Sequence, residues 1–552
     1  MKKRFLLGIF SFALVGLLFT GCSHSNDFKR SRATGRSMNG KEGGYKFNPR
    51  FRNQIAGPGL VFVEGGTFTF GEVQDDVMAD WNNVPKQLQV RSFYMDETEV
   101  TNLMYLEYLD WLKKVFPTDE EKYKNIYKGA LPDTLVWRTP LGFNEDLVNN
   151  YLRHPAYALY PVVGVNWIQA VQFCNWRTDR VNETLLYKSG KLNREALEKP
   201  NAEELFSTET YLVSPESAYG GNTELYNPRK RKRKKDTTLN VVNRSSGIIL
   251  PAYRLPTEVE WEYAAKANSE LREYNTLKGR KIYPWKGTTT RNLDKRKNIG
   301  KELANFKIDD GNYEGLAGWS DDAADITAPV KTFPPNDFGL YDMAGNVNEW
   351  VADVYRQIID DEANDFNYYR GNIYTKQAFD ENGKLIVITQ DSIPMDTLPN
   401  GKIIVSQLPG SPGKKPVDDN ELYLRQNFDR SDNRDYRDGD IESSRSYLKD
   451  KSDVDADPSL RMYNAPVHEV YADSIQLVKN YDKSNNRTTL INNQVRVIKG
   501  GSWRDRAYWL DPAQRRFYPQ YLSRNDIGFR CAMSRLGNKA NNRKYRRKHK
   551  YN

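Results

Sequence analysis

Three short segments carry most of the information about the fold of this 552-residue chain. They are residues 253–262, 339–350 and 499–504. In the first, Pro256 and Thr257 precede residues with helical apolar spacing, which predicts a helix capped by Thr257. In the third, Gly500, Gly501 and Ser502 are typical of a turn that is set by backbone geometry.

Together these segments resemble the formylglycine-generating-enzyme, or sulfatase-modifying factor, family. The resemblance covers most of the chain outside an N-terminal stretch, two insertions and a C-terminal tail, and several co-linear motifs carry it. It implies an α+β fold of the irregular, C-type-lectin-related kind with two long insertions. The many Trp and Tyr side chains are expected to supply its core.

The resemblance also locates the catalytic position of those enzymes. In them, a cysteine pair just after a Gly-Gly-Ser-Trp or Gly-Gly-Ser-Tyr turn holds copper and activates oxygen, because soft sulfur ligands select that metal. The matching positions here are Asp505 and Leu510, and neither side chain can form a thiolate. We therefore expect no catalytic residues, no copper and no enzyme activity.

Other reaction chemistries find little support in the sequence. The iron-dependent sulfoxide synthases of this fold need clustered histidines, whereas the four histidines here are scattered at positions 24, 154, 468 and 549, so we expect no iron. A hydrolase built on Ser502 and His468 is formally open, but backbone geometry explains Ser502 in its turn. Glu258 and Glu262 lie one helical turn apart, which favours a structural role over acid–base catalysis.

The N-terminus predicts export and lipid attachment. Three basic residues precede an apolar run over residues 5–19, and Thr20, Gly21 and Cys22 follow. This pattern is typical of a lipoprotein signal peptide, and the run is too short and wrongly flanked for a stable membrane span. We expect an acylated Cys22 that anchors the chain to the periplasmic face of the outer membrane. A secretory signal that leaves Cys22 free is the alternative.

The net charge of +10 does not predict a nucleic-acid-binding protein. Three of the cations lie in the signal peptide, and many more crowd the last stretch of the chain. The remainder is close to neutral, and an exported, tethered protein meets neither chromosomal DNA nor RNA. We therefore expect no nucleic-acid partner.

Four parts are predicted along the chain. They are the signal peptide 1–21, a Ser-, Arg-, Gly- and Asn-rich tether 22–57, the domain 58–537 and a basic tail 538–552. Residues 59–71 are interpreted as a hairpin that opens the domain. Thr101 is predicted to cap a helix that continues through Trp111, and a second helix is predicted from Ile168 to Arg180.

Two insertions, about 181–248 and about 356–495, interrupt the domain. In the second, residues 384–389 and 402–405 are interpreted as a pair of strands, and 418–461 as a solvated or partner-facing loop. The first contains seven consecutive basic residues, which indicate an exposed loop that contacts anionic lipid headgroups or an acidic partner, or that is merely solvated. The candidate partner-binding residues of this run and of the tail are Arg229, Lys230, Arg231, Lys232, Arg233, Lys234, Lys235, Arg543, Lys544, Arg546, Arg547 and Lys548.

Two further features are implied by the family resemblance. The family often has a disulfide between the motifs that contain Cys174 and Cys531, which the periplasm permits, and two buried thiols are the alternative. It also often has two structural calcium sites made of oxygen ligands. The matching ligands are the side chains of Asn305 and Asp322 with the carbonyls of Phe306 and Ala324, and the side chains of Asp342 and Glu349 with the carbonyls of Gly345 and Val347. Turn capping by Asp342 and Asn346 is the alternative for the second set.

A non-enzymatic branch of the family gives the closer resemblance. Residues 31–35, 41–44, 74–78, 80–83 and 131–138, together with the signal that ends at Cys22, are similar to lipoproteins of gliding motility and type IX secretion in Bacteroidetes. This resemblance implies a structural or assembly role, with other gliding or type IX secretion lipoproteins and ring proteins as partners. The alternative is a periplasmic enzyme that modifies exported proteins on the same fold.

Overall fold

A computed structural model of the chain describes part of its length. The described residues are 30–38, 45, 51, 53–71, 82, 83, 85–139, 142–226, 241–268, 281–293, 299–308, 324–357, 375–417, 470–473, 476–479 and 491–537. Cys22, Asp322, His468, the basic run 229–235, the loop 418–461 and the tail 538–552 lie outside them.

Short elements in a mixed order make up the described chain, as an α+β fold requires. The α-helices are α1 (Asn102–Val115), α2 (Lys124–Ala130), α3 (Glu145–Asn150), α4 (Trp167–Lys188), α5 (Glu195–Glu198), α6 (Thr208–Val213) and α7 (Glu258–Lys266). The strands are β1 (Leu60–Val63), β2 (Gly66–Phe70), β3 (Lys86–Val90), β4 (Phe93–Asp96), β5 (Tyr253–Arg254), β6 (Asn348–Val354), β7 (Thr375–Gln377), β8 (Met395–Thr397), β9 (Ile403–Val405), β10 (Lys414–Pro416), β11 (Val470–Asp473), β12 (Gln476–Lys479), β13 (Val495–Lys499), β14 (Arg516–Pro519), β15 (Ile527–Gly528) and β16 (Ala532–Ser534).

Two four-stranded sheets join distant parts of the sequence. One has the strand order β1-β4-β16-β5, and the other has the order β14-β13-β6-β15. Strand β16 near the C-terminus thus pairs with β4 near the start of the domain, while β6 and β13 pair across the whole second insertion. The sheets therefore bring the three informative sequence segments into one core.

The predicted helix starts are confirmed, and both helices are longer than predicted. Thr101 accepts a hydrogen bond from the backbone N–H of Met104, and α1 continues to Val115. Asn166 and Gln169 form a reciprocal capping box at the start of α4. That helix ends at Lys188 rather than at Arg180, because Leu186 is completely buried in the hydrophobic cluster of the first insertion.

The predicted opening hairpin is wrong. Strand β1 ends at Val63 and β2 begins at Gly66, but β1 pairs with β4 and β2 pairs with β3. A Cβ atom on Gly65 would lie 2.3 Å from the carbonyl oxygen of Val90, so the chain passes here against neighbouring backbone. The glycines therefore permit a crossing between two sheets instead of a two-residue hairpin turn.

The predicted strand pairing in the second insertion is also wrong. Strand β9 pairs with β8, a tight hairpin whose turn includes Gly401 at a φ of 79°. Residues 384–389 instead make isolated bridges, Leu385 with Phe379 and Val387 with Pro412. Strand β9 pairs with β8, its neighbour in the sequence, because the left-handed backbone of Gly401 after Asn400 closes the short loop between them.

The buried hydrophobic residues form several separate clusters, and the two largest each join helices to strands. The largest buried cluster joins α1, α2 and α4 to Trp350 of β6 and Phe529, while a second packs β2, β3 and β13 against Trp261 of α7. The first insertion has its own cluster, which includes Phe206, Tyr211 and Tyr219.

The helices in the described part of the chain include none with the length and apolar character that a membrane span needs.

Candidate functional site

Asp505, which the family resemblance matches to the first cysteine of the copper pair, forms an ion pair with Arg516. Its two carboxylate oxygens accept hydrogen bonds from the two terminal guanidinium nitrogens of Arg516, each at 2.6 Å. Oδ2 also accepts from Ser502 Oγ at 2.6 Å and from Asn348 Nδ2 at 3.0 Å. Burial acts to raise the pKa of Asp505, but the hydrogen bonds and charge of Arg516, with those from Ser502 and Asn348, lower it below its ordinary value. Asp505 is therefore favoured in its ionised form as the partner of Arg516.

Leu510 occupies the second position and belongs to the apolar core. Its side chain is completely buried in a cluster with Ala304, Phe306 and Ala344. A leucine in such a setting presents no lone pair to a metal and excludes water from the space around it. The two positions that the resemblance matches to the cysteine pair thus hold an ion-paired carboxylate and a buried apolar side chain.

The loop that carries Asp505 depends on Gly500 and Gly501. Both have left-handed backbone conformations, with φ values of 102° and 71°. A Cβ atom on Gly501 would lie 2.7 Å from the carbonyl oxygen of Trp509, and one on Gly500 would lie 3.1 Å from the Trp261 ring. The Gly-Gly-Ser turn is therefore required by backbone geometry, and Ser502 bonds to Asp505 rather than to a histidine.

The glutamates of α7 are buried in ion pairs. Glu258 receives two hydrogen bonds from Arg515, at 2.6 and 3.0 Å, and Glu260 receives two from Arg254, each at 2.7 Å. Glu262 lies 2.7 Å from Lys266 and 3.0 Å from Lys499. Burial raises the pKa of Glu262, but its lysine partners bring it below the ordinary value. These contacts agree with the structural role expected from the sequence.

A second group of buried acids surrounds Arg530. Glu349 accepts two hydrogen bonds from this guanidinium, at 2.6 and 2.7 Å, and one from the Trp261 indole N–H at 2.8 Å. Burial raises the pKa of Glu99 well above its ordinary value, and the charges of Asp342 and Glu349 add to the increase. Arg530 thus supplies the positive charge at the centre of three carboxyl groups.

The two predicted calcium-ligand sets lie side by side. The backbone N–H of Asn346 donates to the carbonyl of Asn305 at 2.8 Å, and a Cβ atom on Gly345 would lie 2.3 Å from the same oxygen. Asn305 donates through Nδ2 to the carbonyl of Ile326, which leaves its Oδ1 as the amide atom available to a cation. Asp322, from the same set, is outside the described residues.

The second ligand set does not fit calcium as it is arranged. Both carboxylate oxygens of Glu349 are bonded to Arg530, and Oδ2 of Asp342 accepts from the backbone N–H of Lys331 at 3.0 Å. Asp342 and Asn346 have φ values of 55° and 62°, so both shape this loop as turn residues. Within the described part of the chain, no group of three or more His, Cys, Asp or Glu side chains is placed to hold a metal.

The structure brings Cys174 of α4 next to Cys531. Their sulfur atoms are 3.3 Å apart, both side chains are buried, and they are present as free thiols. A disulfide needs a separation near 2.05 Å. Burial, together with the neighbouring thiol, raises the pKa of Cys531 well above its ordinary value. The predicted pair is therefore in reach of oxidation, and the bond stays a prediction.

Sequence reasoning missed several residues of these networks. Arg516, Asn348 and Glu99 were not singled out, although Glu99 follows a strand and precedes the Thr101 cap. Asp353 was missed as well, and it accepts the first N–H of α7, from Glu258, at 2.7 Å. An acid in the otherwise apolar run 350–354 was the available signal, since a buried charge must find donors.

Residues 46–385 match the family described as the sulfatase-modifying factor enzyme 1-like domain. This match covers more than half of the chain. The chain belongs to that family. The α+β architecture agrees with this assignment, so the predicted family and the coarse fold class are confirmed, while the two insertions stay a prediction.

Relatives in the family include active and inactive proteins. The chain is 22% identical to the mouse formylglycine-generating enzyme over 321 residues, which cover 53% of this chain and 58% of the enzyme. It is 41% identical to the bovine inactive Cα-formylglycine-generating enzyme 2 over 106 residues, which cover 19% of this chain and 27% of that protein. The chain thus spans less than two thirds of the length of these relatives.

Solved structures match most of the chain with low TM-scores. PvdO from Pseudomonas aeruginosa is similar with a TM-score of 0.35 and 16% identity, and the match covers 86% of this chain and 94% of PvdO. The variable protein 1 of Treponema denticola matches with a TM-score of 0.33 and 15% identity, covering 86% and 94%.

Proposed function

We propose that this family member is a non-catalytic lipoprotein of the outer membrane. One observation carries the loss of catalysis: Asp505 and Leu510 are committed to Arg516 and to the apolar core, where the oxidase chemistry would need two thiolates. A relative with 41% identity over 106 residues is itself named inactive. The same fold therefore serves here as a binding framework rather than as an oxidase.

The sequence supports the proposed location in the cell and the machinery to which the protein would belong. The signal that ends at Cys22 and the segments similar to gliding-motility lipoprotein J support a structural or assembly component of the gliding-motility or type IX secretion machinery. The lipid on Cys22 holds the protein to the periplasmic face of the outer membrane, with other secretion lipoproteins and ring proteins as partners. The basic run 229–235 and the tail 538–552 are proposed to contribute contacts to these partners.

Calcium is retained in the proposal as a structural ion of the first ligand set alone. Asn305 offers an amide oxygen next to the turn at Gly345, and Asp322 would add a carboxylate. An ion there would stabilise loops that have little regular secondary structure. It would take no part in any reaction.

Two measurements test the proposal. Affinity purification from native outer membranes in mild detergent, followed by mass spectrometry and particle sizing, is expected to recover the protein in a large assembly with secretion components. Recovery as a lone small lipoprotein would contradict a lasting structural role.

The purified protein is also expected to consume no oxygen when copper and a cysteine-containing peptide are supplied. Copper-dependent oxygen uptake would favour the enzyme that modifies exported proteins.

A further inference from the structure

A basic cleft lies between the two insertions, away from Asp505 and from the buried acids. Its volume is about 620 Å³, which is in the range of ligand-binding pockets. Four of its lining residues are cations and one is an acid. The lining residues are Glu209, Arg244, Thr375, Lys376, Gln377, Phe379, Lys414 and Lys415.

The walls of this cleft are held by contacts between the insertions. Glu209 belongs to α6 of the first insertion, while the lysines belong to β7 and β10 of the second. The hydroxyl of Thr210, next to Glu209, donates to the carbonyl of Gly410 at 2.7 Å. A Cβ atom on Gly410 would lie 2.7 Å from the carbonyl oxygen of Leu205, so the two segments are in close backbone contact. The cleft therefore has a fixed position in the fold.

Two positive charges of the cleft lie close together on neighbouring strands, an arrangement that does not stabilise the fold. Lys415 of β10 lies directly opposite Lys376 of β7 in the antiparallel register. Like charges at such positions repel each other and destabilise the strand pair. Among the described lining residues the one acid is Glu209, which lies 3.3 Å from Lys414, and because these side chains are about half exposed their ion pair contributes little. An incoming anion would add charge-assisted contacts to these cations.

The shape of the cleft favours a chain over a small anion. Its three lysines lie on two paired strands and Arg244 lies in the first insertion, so the cations come from three separate segments, and the polar residues Thr375 and Gln377 flank Lys376 on β7. The ring of Phe379 is 47% exposed and offers an apolar contact. In the described residues, β7 and β10 form a sheet of two strands, so each has an edge that an extended peptide could extend.

We propose that this cleft binds an extended acidic peptide segment of a partner protein. Carboxylates on alternate residues of the peptide pair with Lys415, Lys376 and Arg244, while the apolar side chains between them contact Phe379. The binding site is distinct from the basic run and from the tail. It does not depend on the lipid anchor or on the secretion assignment.

Fluorescence anisotropy with the full-length chain in detergent tests this site. The probe is a labelled peptide of alternating Glu and Thr, and its matched control replaces each Glu by Gln. We expect binding of the Glu peptide alone, and at least about tenfold weaker binding by the double variant Arg244→Glu/Lys415→Glu, since attraction becomes repulsion. Raising the salt concentration from about 0.1 M to about 1 M should also weaken binding, because it shortens the screening length to about 3 Å.

Two further variants keep the test decisive. The double variant Lys113→Glu/Lys128→Glu changes charge equally at exposed helix positions outside the cleft, and it should bind like the wild type. The milder Arg244→Gln/Lys415→Gln replaces the charge-reversed protein if that protein does not keep the wild-type melting temperature. Equal binding by the cleft variant and its control would overturn the proposal. So would cleft-dependent binding of vesicles containing phosphatidylglycerol without binding of the Glu peptide, which would assign the site to lipid headgroups.

Discussion

Asp505 and Arg516 form a two-pronged ion pair in which each carboxylate oxygen lies 2.6 Å from a different guanidinium nitrogen. The side chains are 13% and 17% exposed, so water replaces these contacts poorly. Planar pairs of this kind are specific as well as strong, because both hydrogen bonds depend on one relative orientation. The pair fixes β14 against the loop that follows β13. Asp505 thus has a structural role in joining this loop to β14.

Replacing Arg516 by Ala is expected to lower the free energy of unfolding by about 3 kcal/mol, because it leaves the carboxylate of Asp505 buried and unpaired. The double variant Asp505→Ala/Arg516→Ala should lose less than the sum of the two single variants. Urea denaturation of the three variants measures both quantities. Strict additivity would show that the two residues act independently.

Cys174 and Cys531 are expected to form a disulfide in the exported protein, because their sulfur atoms are already 3.3 Å apart. Neither cysteine should react with a thiol reagent in denatured, unreduced protein, and both should react after reduction. The double variant Cys174→Ser/Cys531→Ser should be less stable by about 2–4 kcal/mol. Two reactive thiols before reduction would establish the buried dithiol instead.

Removing calcium with a chelator is expected to lower the thermal midpoint, and added calcium should restore it, since a ligand that binds the native state alone stabilises that state. Asn305→Ala should abolish this response. Asp342→Asn should preserve it, because the Asp342 set does not fit the ion as arranged. Differential scanning calorimetry provides the measurement, and an unchanged midpoint would count against calcium.

Asp353 is expected to make stability depend on pH. Burial, with the nearby charge of Glu258, raises its pKa from 3.8 to about 7. A carboxyl group with a raised folded-state pKa contributes stability that is fully present below pH 3.8 and is lost as pH rises through about 7. Asp353→Asn keeps an acceptor for the Glu258 N–H, so it should be more stable than the wild type above pH 7. The difference should shrink as pH falls towards 4, and equal pH profiles would contradict the assignment.

Gly501→Ala is expected to destabilise the loop more than Gly339→Ala does. Gly501 and Gly339 have similar φ values, 71° and 82°. An alanine at either position would therefore incur about the same backbone strain, about 1–2 kcal/mol. A Cβ atom meets the Trp509 carbonyl at 2.7 Å in the first case and meets nothing within 4 Å in the second. Chemical denaturation separates the steric cost from the strain, and equal losses would refute the close approach.

The sequence by itself determined where helices begin and which family the chain belongs to. Thr101 and Thr257 cap helices as predicted, because a side-chain oxygen can satisfy a free N–H within three residues and such short-range chemistry is visible in the sequence. The Gly-Gly-Ser turn and the absence of a cysteine pair at Asp505 and Leu510 were also readable, because they depend on residue type and order alone.

Only the tertiary structure decided which distant groups meet. Strands β1 and β2 look like a hairpin in sequence, but each pairs with a different strand, because pairing is settled by the whole sheet. Arg516 became visible as the partner of Asp505 only when β14 was placed beside β13. The basic cleft likewise exists because two insertions, more than a hundred residues apart, are in contact through Thr210 and Gly410. Long-range electrostatics and packing act between residues that no local pattern connects, and that is why the fold was needed to reveal them.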